Sequence, residues 1–187
     1  MTVVVTGAAG HVGANLVRAL LVQGRPVRAL VHVARKAVEG LDVDVVEGDI
    51  RDPQSLSDVF DGAEVVYHLA AGISLLNDEW PLLESVNVIG TRNVVEACLH
   101  CGVRRLVHFS SVHAMVQEPM DAPVDESRPL VESRHYPPYD RSKAAGEQEV
   151  RRGIEMGLDA IIISPTGIIG PRDYRLSHFG EALLALA

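Results

Sequence analysis

The chain has 187 residues, 47% of them apolar and 22% charged, with 17 basic and 25 acidic side chains for a formal charge of −8. That length suffices for one domain with a substantial core, and an acidic balance without a basic stripe argues against a nucleic-acid partner. No apolar run approaches bilayer length, two cysteines give no disulfide framework, and Met1 leads straight into an apolar segment without a signal-peptide pattern; a cytoplasmic protein with no membrane partner is expected.

Taken in order, the segments alternate between two periods. Val3–Val5 reads as a buried strand ended by Gly7. Val12 to Val22 carries apolar residues at helical spacing (Val12, Leu16, Val17, Leu20, Leu21), with Gly24 as the stop. Val27–Val31 is a second strand and Val43–Val46 a third. Asp52-Pro53 pairs an N-cap with a proline at the first helical position, opening a helix to about Phe60. Glu64–Leu69 is a fourth strand, and a long helix runs from Trp80 or Pro81 to His100. Arg105–Ser110 is the fifth strand. A proline-rich stretch from Glu118 to Pro138 precedes a helix over Tyr139–Met156, Asp159–Ile163 is the sixth strand, and Leu176–Ala187 reads as a last helix.

Strands rich in Val and Ile that alternate with helices predict a parallel sheet covered on both faces. The expectation is a doubly wound α/β fold of Rossmann type, strand order 3-2-1-4-5-6, with ligands at the carboxyl ends of the strands.

Two strings carry chemistry. Gly7, Gly10 and Gly13 stand three apart between the first strand and the first helix. Gly7 permits the turn, Gly10 lets backbone approach a pyrophosphate, and Gly13 lets helix and sheet pack closely. His11 and Val12 open the helix, whose free N–H groups and positive dipole end face the phosphates. Tyr139 and Lys143 stand at i, i+4 on one helix face. An NAD site carries an acid about 20 residues past the loop for the ribose 2′-hydroxyl. Here the segment after the second strand is His32-Val33-Ala34-Arg35-Lys36. Arg35 and Lys36, with His32, could receive a 2′-phosphate, so NADP is preferred over NAD.

These strings resemble the extended short-chain dehydrogenase/reductase family, also called the NAD-dependent epimerase/dehydratase family. The likeness covers essentially the whole chain. It includes Gly48-Asp49-Ile50-Arg51-Asp52, His68-Leu69-Ala70-Ala71, the helix string from Val86 to Val94, Phe109-Ser110-Ser111, Asp125-Glu126-Ser127, and Ser164-Pro165-Thr166-Gly167-Ile168-Ile169-Gly170-Pro171. Within the family the chain looks most like the dihydroflavonol reductase-like and sugar-epimerase-like branches.

The resemblance implies roles. Tyr139 would be the catalytic acid or base, Lys143 its partner, Ser111 the hydroxyl that polarises the substrate carbonyl, and Asn87 a holder of the site's geometry. Asp49 and Ile50 would contact adenine. Leu69, Ala70 and Ala71 would line the nicotinamide ribose, and Pro165 and Ile168 would face the nicotinamide. A free phenol titrates near 10, and a neighbouring ammonium and a positively charged nicotinamide ring would both lower that value.

The implied activity is NAD(P)-dependent hydride transfer to a carbonyl or from a secondary alcohol of a small molecule. The alternatives are an NAD-dependent sugar or nucleotide-sugar epimerase or dehydratase, and a non-catalytic NADP-sensing regulator. A homodimer through the two long helices is also implied. After Ser111 the chain reads Val112-His113-Ala114-Met115, without the Tyr-Gly common in nucleotide-sugar enzymes. It reaches Ala187 where family members continue into a substrate lobe. Residues 1–170 are therefore expected to form the dinucleotide-binding domain and 171–187 to begin a lobe that is largely absent, with Leu183, Leu184 and Leu186 on its uncovered face.

Other features weigh less. Cys98-Leu99-His100-Cys101 has redox spacing but lies at a helix C-terminus, where the dipole disfavours thiolate. No metal site is expected from it. His113 and His135 read as loop histidines, and Trp80 as a packing anchor.

Overall fold

The Val- and Ile-rich segments form six parallel strands, because runs apolar on both faces need cover on both faces. They are β1 (Thr2–Thr6), β2 (Val27–Val31), β3 (Asp44–Glu47), β4 (Ala63–His68), β5 (Arg105–Phe109) and β6 (Ala160–Ile163). The sheet order is β3-β2-β1-β4-β5-β6, as the sequence predicts. This computed structural model describes residues 1–74, 76, 78–174 and 176–186, apart from the side chain of His178.

The helices are α1 (His11–Val22), α2 (Pro53–Phe60), α3 (Trp80–Leu83), α4 (Gly90–His100), α5 (Pro138–Glu155) and α6 (His178–Leu186). Ala187, the last residue of the expected final helix, lies outside the described residues. On one sheet face Val3, Val5, Ala29 and Val31 pack with Val17 and Leu20 of α1. On the other, Val4, Val66 and Leu106 pack with Leu56, Phe60, Val94, Cys98 and Val150. Asp52 caps α2 as expected, accepting the Gln54 N–H at 3.1 Å.

The long helix differs from its expected form. Between α3 and α4, Glu84–Ile89 is π-helical. The sequence has no breaker there, and its apolar spacing fits either winding. The extra residue in the turn rotates Asn87 into a buried position. The proline-rich stretch is also built rather than loose. The Arg128 guanidinium donates to the carbonyls of Pro119, Ala122 and Pro123 at 3.0, 2.9 and 3.1 Å. Met115 and Leu130 bridge antiparallel beside it.

Among the described residues no helix is long and apolar enough to cross a membrane.

Candidate active site

The glycine loop lies where β1 feeds α1. Gly7 has φ +66°, and a Cβ on it would sit 2.6 Å from the Ala70 nitrogen. A Cβ on Gly13 would collide with the Gly7 carbonyl oxygen and lie 2.9 Å from Ala8 Cα. Only bare backbone fits this turn, and it leaves a cradle at the N-terminus of a 12-residue helix. Gly10 is the extended N-cap of α1, and its carbonyl accepts the Ala14 N–H at 2.8 Å. The residues fit a dinucleotide's pyrophosphate. Val12 is half-buried in the first turn. The His11 ring is engaged elsewhere: Nε2 lies 3.2 Å from the Gly170 carbonyl. It borders a cleft of about 210 Å³ lined also by Ile168, Gly170, Asp173, Leu176 and Leu183.

Of the three residues read as 2′-phosphate ligands, Arg35 and His32 already lie against acids. Arg35 donates to the Glu47 carboxylate at the end of β3. His32 lies 3.4 Å from Asp49. Asp49 is held below the usual carboxylate range, chiefly by its side-chain hydrogen bonds from Arg51, at 2.9 Å or less. Lys36 is exposed. The sequence reading missed Glu47, because its acid comes from a neighbouring strand rather than from the segment after β2. Ile50 is buried against Gly90 of α4.

Beyond β4, Leu69 and Ala70 are half-buried and Ala71 is exposed. Pro165 follows β6, and its carbonyl accepts the Val112 N–H at 3.1 Å. Ile168 lies further along the same segment, 38% exposed.

Ser111 ends the fifth strand's extension and caps the short 3₁₀ turn Val112–Ala114, its Oγ accepting the His113 N–H at 3.2 Å. Tyr139 lies in the first turn of α5 and Lys143 one turn on. The Ser111 hydroxyl faces the Tyr139 phenol and favours its ionised form. Burial nevertheless raises the phenol's pKa above 10, with Ser111 opposing and Asp140 adding to the rise. Lys143 is not among the groups that shift it. The Lys143 ammonium is turned onto the Phe109 carbonyl, 2.7 Å away. Burial also lowers its own pKa to about 8, against a favourable field from Glu147. His113 stands over Tyr139 edge-on, ring centroids 6.2 Å apart, and lies 3.7 Å from Asp140. Trp80 stacks under the Arg141 guanidinium at 4.4 Å.

The Asn87 side chain bonds Gly72 and Ser142 rather than the Ser111, Tyr139 or Lys143 side chains. Its Oδ1 accepts the Gly72 N–H (2.8 Å), and its Nδ2 donates to the Gly72 carbonyl and to Ser142 Oγ (2.9 Å each). Ser142 in turn donates to the Tyr139 carbonyl at 2.7 Å. Asn87 therefore ties the loop after β4 to the first turn of α5.

Beneath these groups runs a buried polar row the sequence reading did not find. Thr6, His68 and His108 are register neighbours on β1, β4 and β5. The network assigns every proton on His68. Thr91 Oγ1 donates to the Asn87 carbonyl (2.7 Å), so it accepts from His68 Nε2–H (3.1 Å). His68 Nδ1 must then accept from Thr6 Oγ1 (2.8 Å), which itself accepts the Ala70 N–H (3.3 Å). Burial lowers the His68 pKa to about 3, and the His108 ring, 5.2 Å away, is pushed well below its ordinary value for the same reason. Histidine in a strand gives no sign of burial, since it is as often exposed.

These two rings stay neutral in the fold and gain protons on unfolding below about pH 6.5. The unfolded chain then binds more protons, so stability falls as pH falls through the window from about 6.5 towards 3. Between pH 6.5 and 5 the His68 ring costs about 2 kcal/mol, and His108 adds to the loss in the same direction. Urea unfolding at pH 7 and pH 5 checks this; equal stability at the two values would contradict the neutral, buried assignment.

The model of the NAD dependent epimerase/dehydratase family matches residues 3–186. The chain belongs to that family. Sterol demethylase protein B of Methylococcus capsulatus is 41% identical over 189 residues, covering 100% of this chain and 57% of that protein. UDP-glucose 4-epimerase of Mycolicibacterium smegmatis is 34% identical, over 99% of this chain and 64% of the relative. A short-chain dehydrogenase/reductase superfamily protein from Agrobacterium tumefaciens, solved with bound NAD, superposes with a TM-score of 0.77 at 35% identity, over 88% of this chain and 48% of that one. The chain thus spans 57% and 64% of these two curated relatives.

Among the described residues no cluster of three or more His, Cys, Asp or Glu could hold a metal ion. Cys98 is buried at the C-terminal end of α4, its thiol pushed up by desolvation.

Proposed function

We propose that this chain is the dinucleotide-binding and reacting part of an NAD(P)-dependent oxidoreductase that reduces a carbonyl, or oxidises a secondary alcohol, of a small molecule. The observation that carries the reading is the phenol of Tyr139 facing Ser111, with the buried Lys143 ammonium one turn further along α5 tied to the Phe109 carbonyl at the carboxyl end of β5. In this reading residues 1–170 form the dinucleotide domain and 171–187 begin the substrate lobe. The fold then works as a homodimer through its long helices.

The bound dinucleotide supplies or accepts a hydride at the substrate carbon. The chain's residues do the rest. The loop from Gly7 to Gly13, with His11 and Val12, receives the pyrophosphate on backbone N–H groups. Asp49 and Ile50 border the adenine, Leu69, Ala70 and Ala71 the nicotinamide ribose, and Pro165 and Ile168 the nicotinamide. Ser111 donates to the substrate oxygen where negative charge develops. Tyr139, kept protonated by burial, gives its proton to that oxygen in reduction and takes it back in oxidation. Lys143 has N–H groups beyond the one spent on Phe109 to offer the ribose hydroxyls. Asn87 keeps the loop and helix in register.

The reading prefers NADP, with a 2′-phosphate drawing Arg35 away from Glu47 and engaging His32 and Lys36. A paired titration with NADPH and NADH, followed by nicotinamide fluorescence, tests it. Arg35→Ala should weaken NADPH binding about tenfold through loss of a charge-assisted hydrogen bond and leave NADH unchanged. A preference for NADH that ignores the substitution would remove the 2′-phosphate site. Stoichiometric NAD carried through purification, with no net redox, would favour the epimerase reading, which the 34% identity to UDP-glucose 4-epimerase keeps open.

A further inference from the structure

Tyr139, Lys143 and Glu147 stand at i, i+4 and i+8, one face of α5 over three turns. That face meets three consecutive residues at the end of β5. Tyr139 faces the Ser111 hydroxyl. The Lys143 ammonium donates to the Phe109 carbonyl at 2.7 Å. Ser110 Oγ donates to Glu147 Oε2 at 2.7 Å. Glu147 is 1% exposed, a burial a carboxylate tolerates only when paired and hydrogen-bonded. Its other oxygen accepts from Arg151 Nη2 at 2.8 Å and Nε at 3.1 Å.

We propose that Glu147 is a positioning residue: buried on the face of α5 that carries Tyr139 and Lys143, it places a negative charge beside Lys143 and pins Ser110, so that Ser111 faces Tyr139. The proposal rests on the functional reading of Ser111, Tyr139 and Lys143, but its test needs no turnover.

The charges around Lys143 are few. His68 and His108 face it from β4 and β5, both held neutral by burial. Tyr139 lies one turn before it on α5, and its phenol stays protonated. Asn87 and Thr91 of the facing helix are uncharged. Asp140 lies one turn before Lys143, and among the described residues Glu147 is the negative charge whose field opposes the desolvation of the ammonium. Arg151, half-exposed, partly offsets that charge from the far side.

The chain has two lysines, Lys36 and Lys143, and Lys36 is exposed. Protein labelled with ¹³C at the lysine ε-carbons therefore gives two signals, and Lys36→Arg leaves that of Lys143 alone. The wild-type Lys143 signal should titrate near pH 8. Glu147→Gln, which keeps the size and removes the charge, should move the midpoint down by about one pH unit, a tenfold change in proton affinity. Arg151→Ala, at an exposed position, should move it up, since Glu147 then acts on Lys143 uncompensated. These opposite signs separate a field on Lys143 from general loosening, which would move both variants the same way. A Lys143 midpoint that stays put or rises in Glu147→Gln overturns the proposal. If that variant does not fold, an Arg151→Ala midpoint that stays put or falls overturns it alone.

Discussion

Tyr139→Phe should abolish turnover by roughly a thousandfold while leaving fold and dinucleotide affinity near wild type. The substitution removes one oxygen and nothing else. The ring keeps its half-buried place beside His113, and the backbone carbonyl still accepts from Ser142. What disappears is the phenolic proton that faces Ser111 and that this reading assigns to the substrate oxygen. Lys143 lies one turn further along α5, with one N–H spent on the Phe109 carbonyl and the others facing the ribose hydroxyls in this reading. Single-turnover assays with NADPH and a carbonyl substrate, beside a cofactor titration, give the two readouts. A variant that retains a tenth of wild-type activity would remove Tyr139 from the role of acid. One that loses cofactor binding in parallel would make the tyrosine a binding residue.

Gly13→Ala should have the second largest effect, on binding rather than on chemistry. The added methyl meets the Gly7 carbonyl and Ala8 Cα, both backbone, so no side chain can swing aside. Either α1 lifts from the sheet or the loop shifts. Overpacking of this kind costs about 1–3 kcal/mol, and where the loop moves the same energy appears as a ten- to hundredfold loss in dinucleotide affinity. Denaturant unfolding and NADPH titration on the same preparation show how the cost divides. Wild-type values in both would mean that the close approach of helix and loop has no energetic weight.

What could be read from the sequence follows the range of the interactions. The glycine loop, the Asp52 cap and the Tyr139–Lys143 pair are local patterns, and each stands where spacing put it. Strand ends moved by a residue, as at β3, where Asp44–Glu47 replaces Val43–Val46, because pairing with β2 decides which residues join the ladder. The pairing of Arg35 with Glu47 spans two strands and leaves no local trace. The π-helical turn is silent for a different reason. Val86-Asn87-Val88-Ile89-Gly90 suits either winding, and packing of α5 against it makes the choice. Glu147 was legible as the third member of an i, i+4, i+8 set, yet a glutamate on a helix otherwise rich in charge reads as solvated.

The hydrogen bonds that run from Ala70 through Thr6, His68 and Thr91 to the Asn87 carbonyl all point one way. Such a line behaves like a sentence that parses in a single direction: turning the imidazole over would set donor against donor at one end and acceptor against acceptor at the other. Drift in sequence is channelled accordingly. Serine can replace either threonine without changing the direction of any bond, whereas valine, identical in shape, breaks the line at two points and strands the ring in the middle.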